Sequence, residues 1–160
     1  MRRVARSALA AAAATAALTA TAAHAPPAHA QEVTPMDDGY EDAVLQTINQ
    51  RRAHRGLRLL RTSSCVDPVA ERRSRRMGVN DEMRHYDGLR RVLRRCGGSR
   101  VGEIIARGPG FSDPRAVVRA WMHSPSHRAL IEQRGFRAAA VGAWRDAGGE
   151  VFVSVVFRSP

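Results

Sequence analysis

Three short segments carry residue types that could do chemistry: Arg84-His85-Tyr86-Asp87-Gly88, Gly102-Glu103-Ile104 and Trp121-Met122-His123-Ser124-Pro125-Ser126-His127-Arg128. Each places one of His85, Glu103 and His127 beside an apolar anchor that could hold it still. Two neutral imidazoles and a carboxylate are ligand types that zinc takes in open catalytic sites. A metal held there could lower the pKa of bound water and drive hydrolysis. Without metal, His85 with Glu103 could act as an oriented general base, with Ser124 or Ser126 as the nearest hydroxyl. The structural alternative is that the two histidines hydrogen-bond Glu103, because an unpaired buried carboxylate is expensive. Other enzyme signals are absent: no H-E-x-x-H, no G-x-S-x-G, and no lysine from which a Walker A motif could be built. Gly97-Gly98-Ser99-Arg100 therefore reads as a turn, and His54 and His123 as surface residues.

The segments must be positioned by a small exported domain. Arg2, Arg3 and Arg6 precede an alanine-rich run over residues 8–23, and Ala28-His29-Ala30 is a small-x-small cleavage site before Gln31. Residues 1–30 thus read as a signal peptide cleaved after Ala30, residues 31–37 as a short polar lead-in, and residues 38–160 as a single domain. The alanine run lacks the roughly 20 strongly apolar residues a membrane span needs, so no transmembrane segment is expected in the mature chain. About 130 residues suffice for one core. The leader holds three of the 26 arginines, which leaves 23 against 15 acidic residues, a net charge of +8. Such a surface favours anionic wall polymers or lipid headgroups. The arginine run at residues 72–76 reads as a solvated helix face, and a nucleic-acid partner is not favoured.

Cys65 and Cys96 are the two cysteines. An even number in an exported chain implies a disulfide, against the alternatives of a catalytic thiol or a metal pair that a C-x-x-C spacing would have favoured.

Helical periodicity and caps place the elements. A first helix starts at Asp37 or Asp38, buries Tyr40, Val44, Leu45 and Ile48, continues as a solvated basic end and stops at Gly56. A second starts at Ser63 or Ser64, buries Val66, Val69, Ala70 and Met77, turns Arg72, Arg73, Arg75 and Arg76 to water, and ends at Gly78 or Asn80. A third covers residues 87–95, with Leu89, Val92 and Leu93 inward. Residues 101–106 read as a strand. A fourth helix, capped by Ser112 or Asp113 with Pro114 near its first position, buries Ala116, Val117, Ala120 and Trp121. Ser126 caps a short helix carrying His127. Residues 139–144 and 151–157 form a hairpin, the second strand apolar on both faces as a doubly covered sheet requires. Helices before and strands after predict an α+β domain with a small, mainly antiparallel sheet. Trp121 and Trp144 read as core.

This order resembles the bacterial branch of the CAP superfamily, which includes cysteine-rich secretory proteins, antigen 5 and pathogenesis-related 1 proteins. The resemblance is carried by Cys65-x-Asp67-Pro68, the His85 segment, Gly102-Glu103, Trp121-x-x-Ser124-Pro125-x-His127-Arg128, and the valine-rich final strand, over roughly residues 40–158. It implies a three-layer α-β-α sandwich and a cleft of two histidines and two glutamates that holds a divalent metal in some members. His85, Glu103 and His127 match three of these positions. The second glutamate's region holds His123 and Ser124, Ile104 stands for the asparagine of Gly-Glu-Asn, and Ser126 for a glycine. The expected function is a secreted binding module for an extracellular lipid, cell-wall component or partner protein, acting through a cleft of His85, Glu103, His127, Ser124 and Ser126. The alternative is a divalent-metal-dependent hydrolase, protease- or nuclease-like, with zinc on His85, His127 and Glu103. A third possibility is a basic protein held on anionic wall polymer by charge alone.

Overall fold

The final strand's double-sided apolar pattern organises the molecule. The computed structural model describes residues 31–160; the expected leader and its cleavage site lie outside the described residues. In chain order the elements are β1 (Val33–Pro35), α1 (Asp38–His54), β2 (Arg61–Thr62), α2 (Asp67–Asn80), α3 (Leu89–Cys96), β3 (Val101–Gly108), α4 (Pro114–His123), α5 (Pro125–Ile131), β4 (Ala138–Asp146) and β5 (Val151–Arg158), with a 3-10 turn at Pro109–Ser112. The sheet runs β1-β4-β5-β3, with β2 pairing in parallel to one end of β4 and the other pairings antiparallel. On β5, Val153, Val155 and Phe157 take one face and Phe152, Ser154 and Val156 the other, and all six are buried. A sheet apolar on both sides needs a helical layer on each. α1, α4 and α5 supply the first, packing Val44, Ile48, Val117, Trp121 and Ile131 against Ile104, Val141, Val155 and Phe157. The second is α2 and α3, whose Val69, Ala70 and Val92, with Val66 just before α2, cover Ala140 and Val156. The result is a three-layer α-β-α sandwich.

Local chemistry sets the ends of the elements. Asp37 accepts the Tyr40 N–H at 2.7 Å and caps α1, while Asp113 accepts the Arg115 N–H at 2.9 Å and caps α4, with Pro114 following it. Gly142 lets α2 lie close on β4, because a Cβ there would overlap the backbone of Ala70 and Glu71. The Cys65–Cys96 disulfide joins the turn before α2 to the end of α3, with Cα atoms 5.8 Å apart.

Several boundaries differ from the sequence reading. Residues 33–35 of the lead-in are an edge strand on β4. The second helix begins at Asp67, because the Ser63 carbonyl accepts the Val66 and Asp67 N–H groups at 3.1 and 3.0 Å and closes a turn first. The helix ends at Asn80 as expected, with Gly78 buried near Phe152 inside it and Asp81, with φ of +50°, making the stop. The third helix begins at Leu89 and fully buries only Val92. On α4 the inward residues are Val117, Val118 and Trp121, and Ala120 is exposed. Ser124, not Ser126, precedes the helix carrying His127. Trp144 is half-buried, its Nε1 donating to Glu71 Oε2 at 2.7 Å.

Two arginines expected in water are core residues. Arg52 is wholly buried and donates to the carbonyls of Arg58, Ile131, Gln133 and Phe136 at 3.0, 2.6, 3.0 and 3.2 Å. Arg73 is the other.

Candidate functional site

Glu103 lies on β3 opposite Val156, so its side chain points into the layer beneath α2. It is 3% exposed, and a carboxylate in that position must be paired. Four protein donors do this. Arg73 Nε donates to Oε1 at 3.0 Å and Ser154 Oγ to the same oxygen at 3.4 Å. The Tyr86 N–H donates to Oε2 at 2.8 Å, and His85 Nδ1 stands 3.1 Å from it.

Arg73 also donates through Nη2 to the Arg84 carbonyl and lies 5.3 Å over the Tyr86 ring. One buried guanidinium thus fastens the loop after α2 to the edge strand of the sheet. The spacing of α2 explains its position: Val66, Val69, Ala70, Arg73 and Met77 follow the helical repeat, so Arg73 falls on the apolar stripe.

His85 is presented by this arrangement rather than buried in it. Its side chain is 61% exposed while Nδ1 is held on Glu103. His127, on the first turns of α5, is partly buried. Burial, and then the nearby His85, lower its pKa below the ordinary 6.5. Glu103's hydrogen bonds do not include His127. α5 is carried by the elbow after α4, and Trp121 anchors that elbow by donating Nε1 to the Ile105 carbonyl at 3.0 Å.

The remaining candidates stand apart from the proton chemistry. Ser124 Oγ and Ser126 Oγ lie 3.3 Å from each other. Neither is bonded to a histidine, so the geometry offers no base-activated hydroxyl. His123 is exposed and turns its Nδ1 back to the Arg119 carbonyl at 2.8 Å. His54 is exposed at the end of α1.

The residues do not fit a metal centred on Glu103. The Arg73 cation already occupies Oε1, and Oε2 is taken by the Tyr86 N–H and His85. Among the described residues no group of three or more His, Cys, Asp or Glu is disposed to hold a metal ion. The arrangement can present an exposed imidazole edge held on a buried, ion-paired carboxylate.

Fold and site together define a three-layer α-β-α sandwich in which a buried, ion-paired glutamate holds an exposed histidine. The chain matches the model of the CAP, or cysteine-rich secretory protein, family over residues 45–157, and it belongs to that family. Comparison with curated protein sequences finds no match. Among solved structures, an outer surface protein of Borrelia burgdorferi superposes with a TM-score of 0.71 at 19% identity, covering 80% of this chain and 98% of that one. An extracellular protein of Bacillus anthracis containing an SCP domain gives 0.67 at 25% identity, over 78% of this chain and 41% of that one. A cysteine-rich secretory protein of Staphylococcus aureus gives 0.65 at 17% identity, over 78% and 40%. The chain therefore spans about two fifths of the length of the last two proteins.

Proposed function

We propose that the protein is a secreted binding module that grips an extracellular lipid, cell-wall component or partner protein through the cleft formed by His85 and His127 above Glu103. The observation that carries this reading is the saturation of Glu103 by four protein donors. A general base needs a free lone pair within reach of the proton it takes, so the saturated Glu103 is not itself one. Among the described residues no protein hydroxyl is bonded to His85. A carboxylate whose oxygens are already engaged serves instead to fix His85 and hand its outer edge to a ligand. Secretion is supported by the leader pattern ending at Ala30 and by the disulfide, which suits an oxidising compartment. The described residues contain no helix long and apolar enough to cross a membrane.

Retention of the mature chain on insoluble peptidoglycan and on lipid vesicles, at low and raised ionic strength, tests the reading. Retention that survives salt and is lost in the His85→Ala/His127→Ala double variant supports it. Retention that disappears with salt and ignores both histidines returns the charge-only alternative. Calorimetric zinc titration provides a second arm. Tight zinc binding that either single variant abolishes, accompanied by peptide or phosphodiester hydrolysis, would establish the hydrolase alternative instead.

A further inference from the structure

The arginines left over from the Glu103 network border a second place for a ligand. A cavity of about 490 Å³ opens between the C-terminal half of α2, the loop at residues 82–88 and the start of α3, and is walled by Arg73, Arg76, Arg84, His85 and Arg91. Glu82 and Asp87 also reach it, but Arg84 takes both, at 3.9 and 3.3 Å. Arg73 is taken by Glu103. Arg76 and Arg91 are both exposed, and neither has a carboxylate within ion-pair distance among the described residues.

Next along α2 is a second cavity of about 400 Å³, which shares Arg73, Arg76 and Tyr86 with the first. Its walls add Val69, Val79, Arg72 and Arg75. The Arg73 guanidinium, 5.3 Å over the Tyr86 ring, borders both. One chamber is thus bordered by two free guanidinium forks, the geometry that matches phosphate oxygens. The adjoining chamber offers aliphatic and aromatic surface.

We propose that this pair of chambers is a binding site for an amphiphilic phosphate ester: the phosphate sits between Arg76 and Arg91, and the hydrocarbon part lies against Val69 and Val79. A single-stranded nucleic acid fits less well, because it calls for free aromatic faces on which bases stack, and the Tyr86 face is occupied by Arg73. The site adjoins the histidine cleft and shares His85 with it, but neither Glu103 nor His127 lines either chamber.

The test is calorimetric titration of the mature chain with three probes: short-chain phosphatidylglycerol below its micelle concentration, glycerol phosphate, and short-chain phosphatidylcholine. Saturable binding in the order phosphatidylglycerol, then glycerol phosphate, with phosphatidylcholine weakest, is expected. Arg76→Gln/Arg91→Gln should weaken phosphatidylglycerol by about tenfold or more, the scale of two lost charge-assisted contacts. Arg94→Gln/Arg95→Gln removes the same charge from exposed positions of α3 outside both chambers, and should cost less than about twofold, as a screened surface field does. Val79→Gln should bring phosphatidylglycerol down to the level of glycerol phosphate. Equal losses for the two arginine pairs, equal binding of phosphatidylcholine, equal binding of glycerol phosphate, or no saturable phosphatidylglycerol binding would each overturn the proposal. His127→Ala should leave this titration unchanged while lowering retention through the histidine cleft, so the two sites succeed or fail separately.

Discussion

At Glu103 the balance of charge is set by Arg73, whose Nε stands 3.0 Å from Oε1 with side-chain exposures of 9% and 0% for the pair. Removing one partner of such a pair strands the other without solvent, which costs about 3–5 kcal/mol. Glu103→Gln should therefore lower stability by that order in denaturant unfolding, and Arg73→Met combined with Glu103→Leu should recover much of the loss, because both charges then leave the core together. Loss of function in Glu103→Gln alone consequently reports on the scaffold as well as on the cleft. His127 gives an independent reading of the site. Its folded pKa lies below 6.5 because of burial first and His85 second. The unfolded chain then takes up this proton more readily, so the contribution of His127 to stability is present above about pH 6.5 and fades as pH falls towards the folded pKa. Removing His85 by substitution to Ala should move the His127 midpoint upward in an NMR titration of the imidazole resonances.

Among the elements, two joints hold the layers in register. Arg52 ties α1 to the loop that follows it, to the end of α5 and to the connection between α5 and β4, by donating to four carbonyls from a fully buried position. Arg52→Ala leaves those acceptors without donors, and each buried acceptor so stranded costs about 1–3 kcal/mol. A loss of about 3 kcal/mol or more in urea unfolding is expected. Arg52→Lys should recover only part of it, because an ammonium cannot span the same fork. The other joint closes the edge of β4 between β1 and β2. There Glu41 Oε1 accepts the Ala143 N–H at 2.8 Å, and burial, followed by the hydrogen bond with Glu71, raises the Glu41 pKa to about 9. The folded chain keeps this proton while the unfolded chain releases it near 4.5, so stability is full below that value and declines as pH rises towards 9. Glu41→Gln keeps the acceptor without the titration. Its melting temperature should vary less between pH 5 and 9, and exceed that of the parent at pH 8.

For the molecule as a whole, the Cys65–Cys96 bridge spans a separation of 31 residues and pins the arginine-bearing layer to itself. Closing a loop of that length stabilises by roughly 3–4 kcal/mol in the chain-entropy model. Reduction under native conditions should lower the melting temperature correspondingly and loosen the α2–α3 layer first, as amide exchange in residues 67–96 would show. Charge is also segregated at this scale. Asp37, Asp38, Glu41, Asp42 and Asp67 gather near the start of α1, while the exposed Arg72, Arg75, Arg76, Arg90, Arg91, Arg94 and Arg95 belong to α2 and α3. Such a molecule presents its basic side to anionic surfaces, and the response to salt separates that general attraction from a built site.

Much of this was legible before folding, for identifiable reasons. β5 carries apolar residues on both faces, which only a doubly covered sheet satisfies. α1 and α4 announce their starts through Asp37, Asp113 and Pro114. The tryptophan to His-Arg block marked the elbow that Trp121 fastens to β3. β1 and β2, of three and two residues, carry no periodicity and exist because β4 offers them an edge. Arg52 and Arg73 were read as solvated because charge outweighed their place on an apolar stripe. Whether an arginine can be buried depends on acceptors from distant parts of the chain: carbonyls at the end of α5 and beyond it for Arg52, and a carboxylate 30 residues later for Arg73. The amino-acid sequence alone determined the layered architecture, the disulfide and the identities of His85, Glu103 and His127. Only the tertiary structure decided that Glu103 spends its charge on Arg73, and that Arg76 and Arg91 face one chamber, because electrostatic pairing is a property of distance in space and not of distance along the chain.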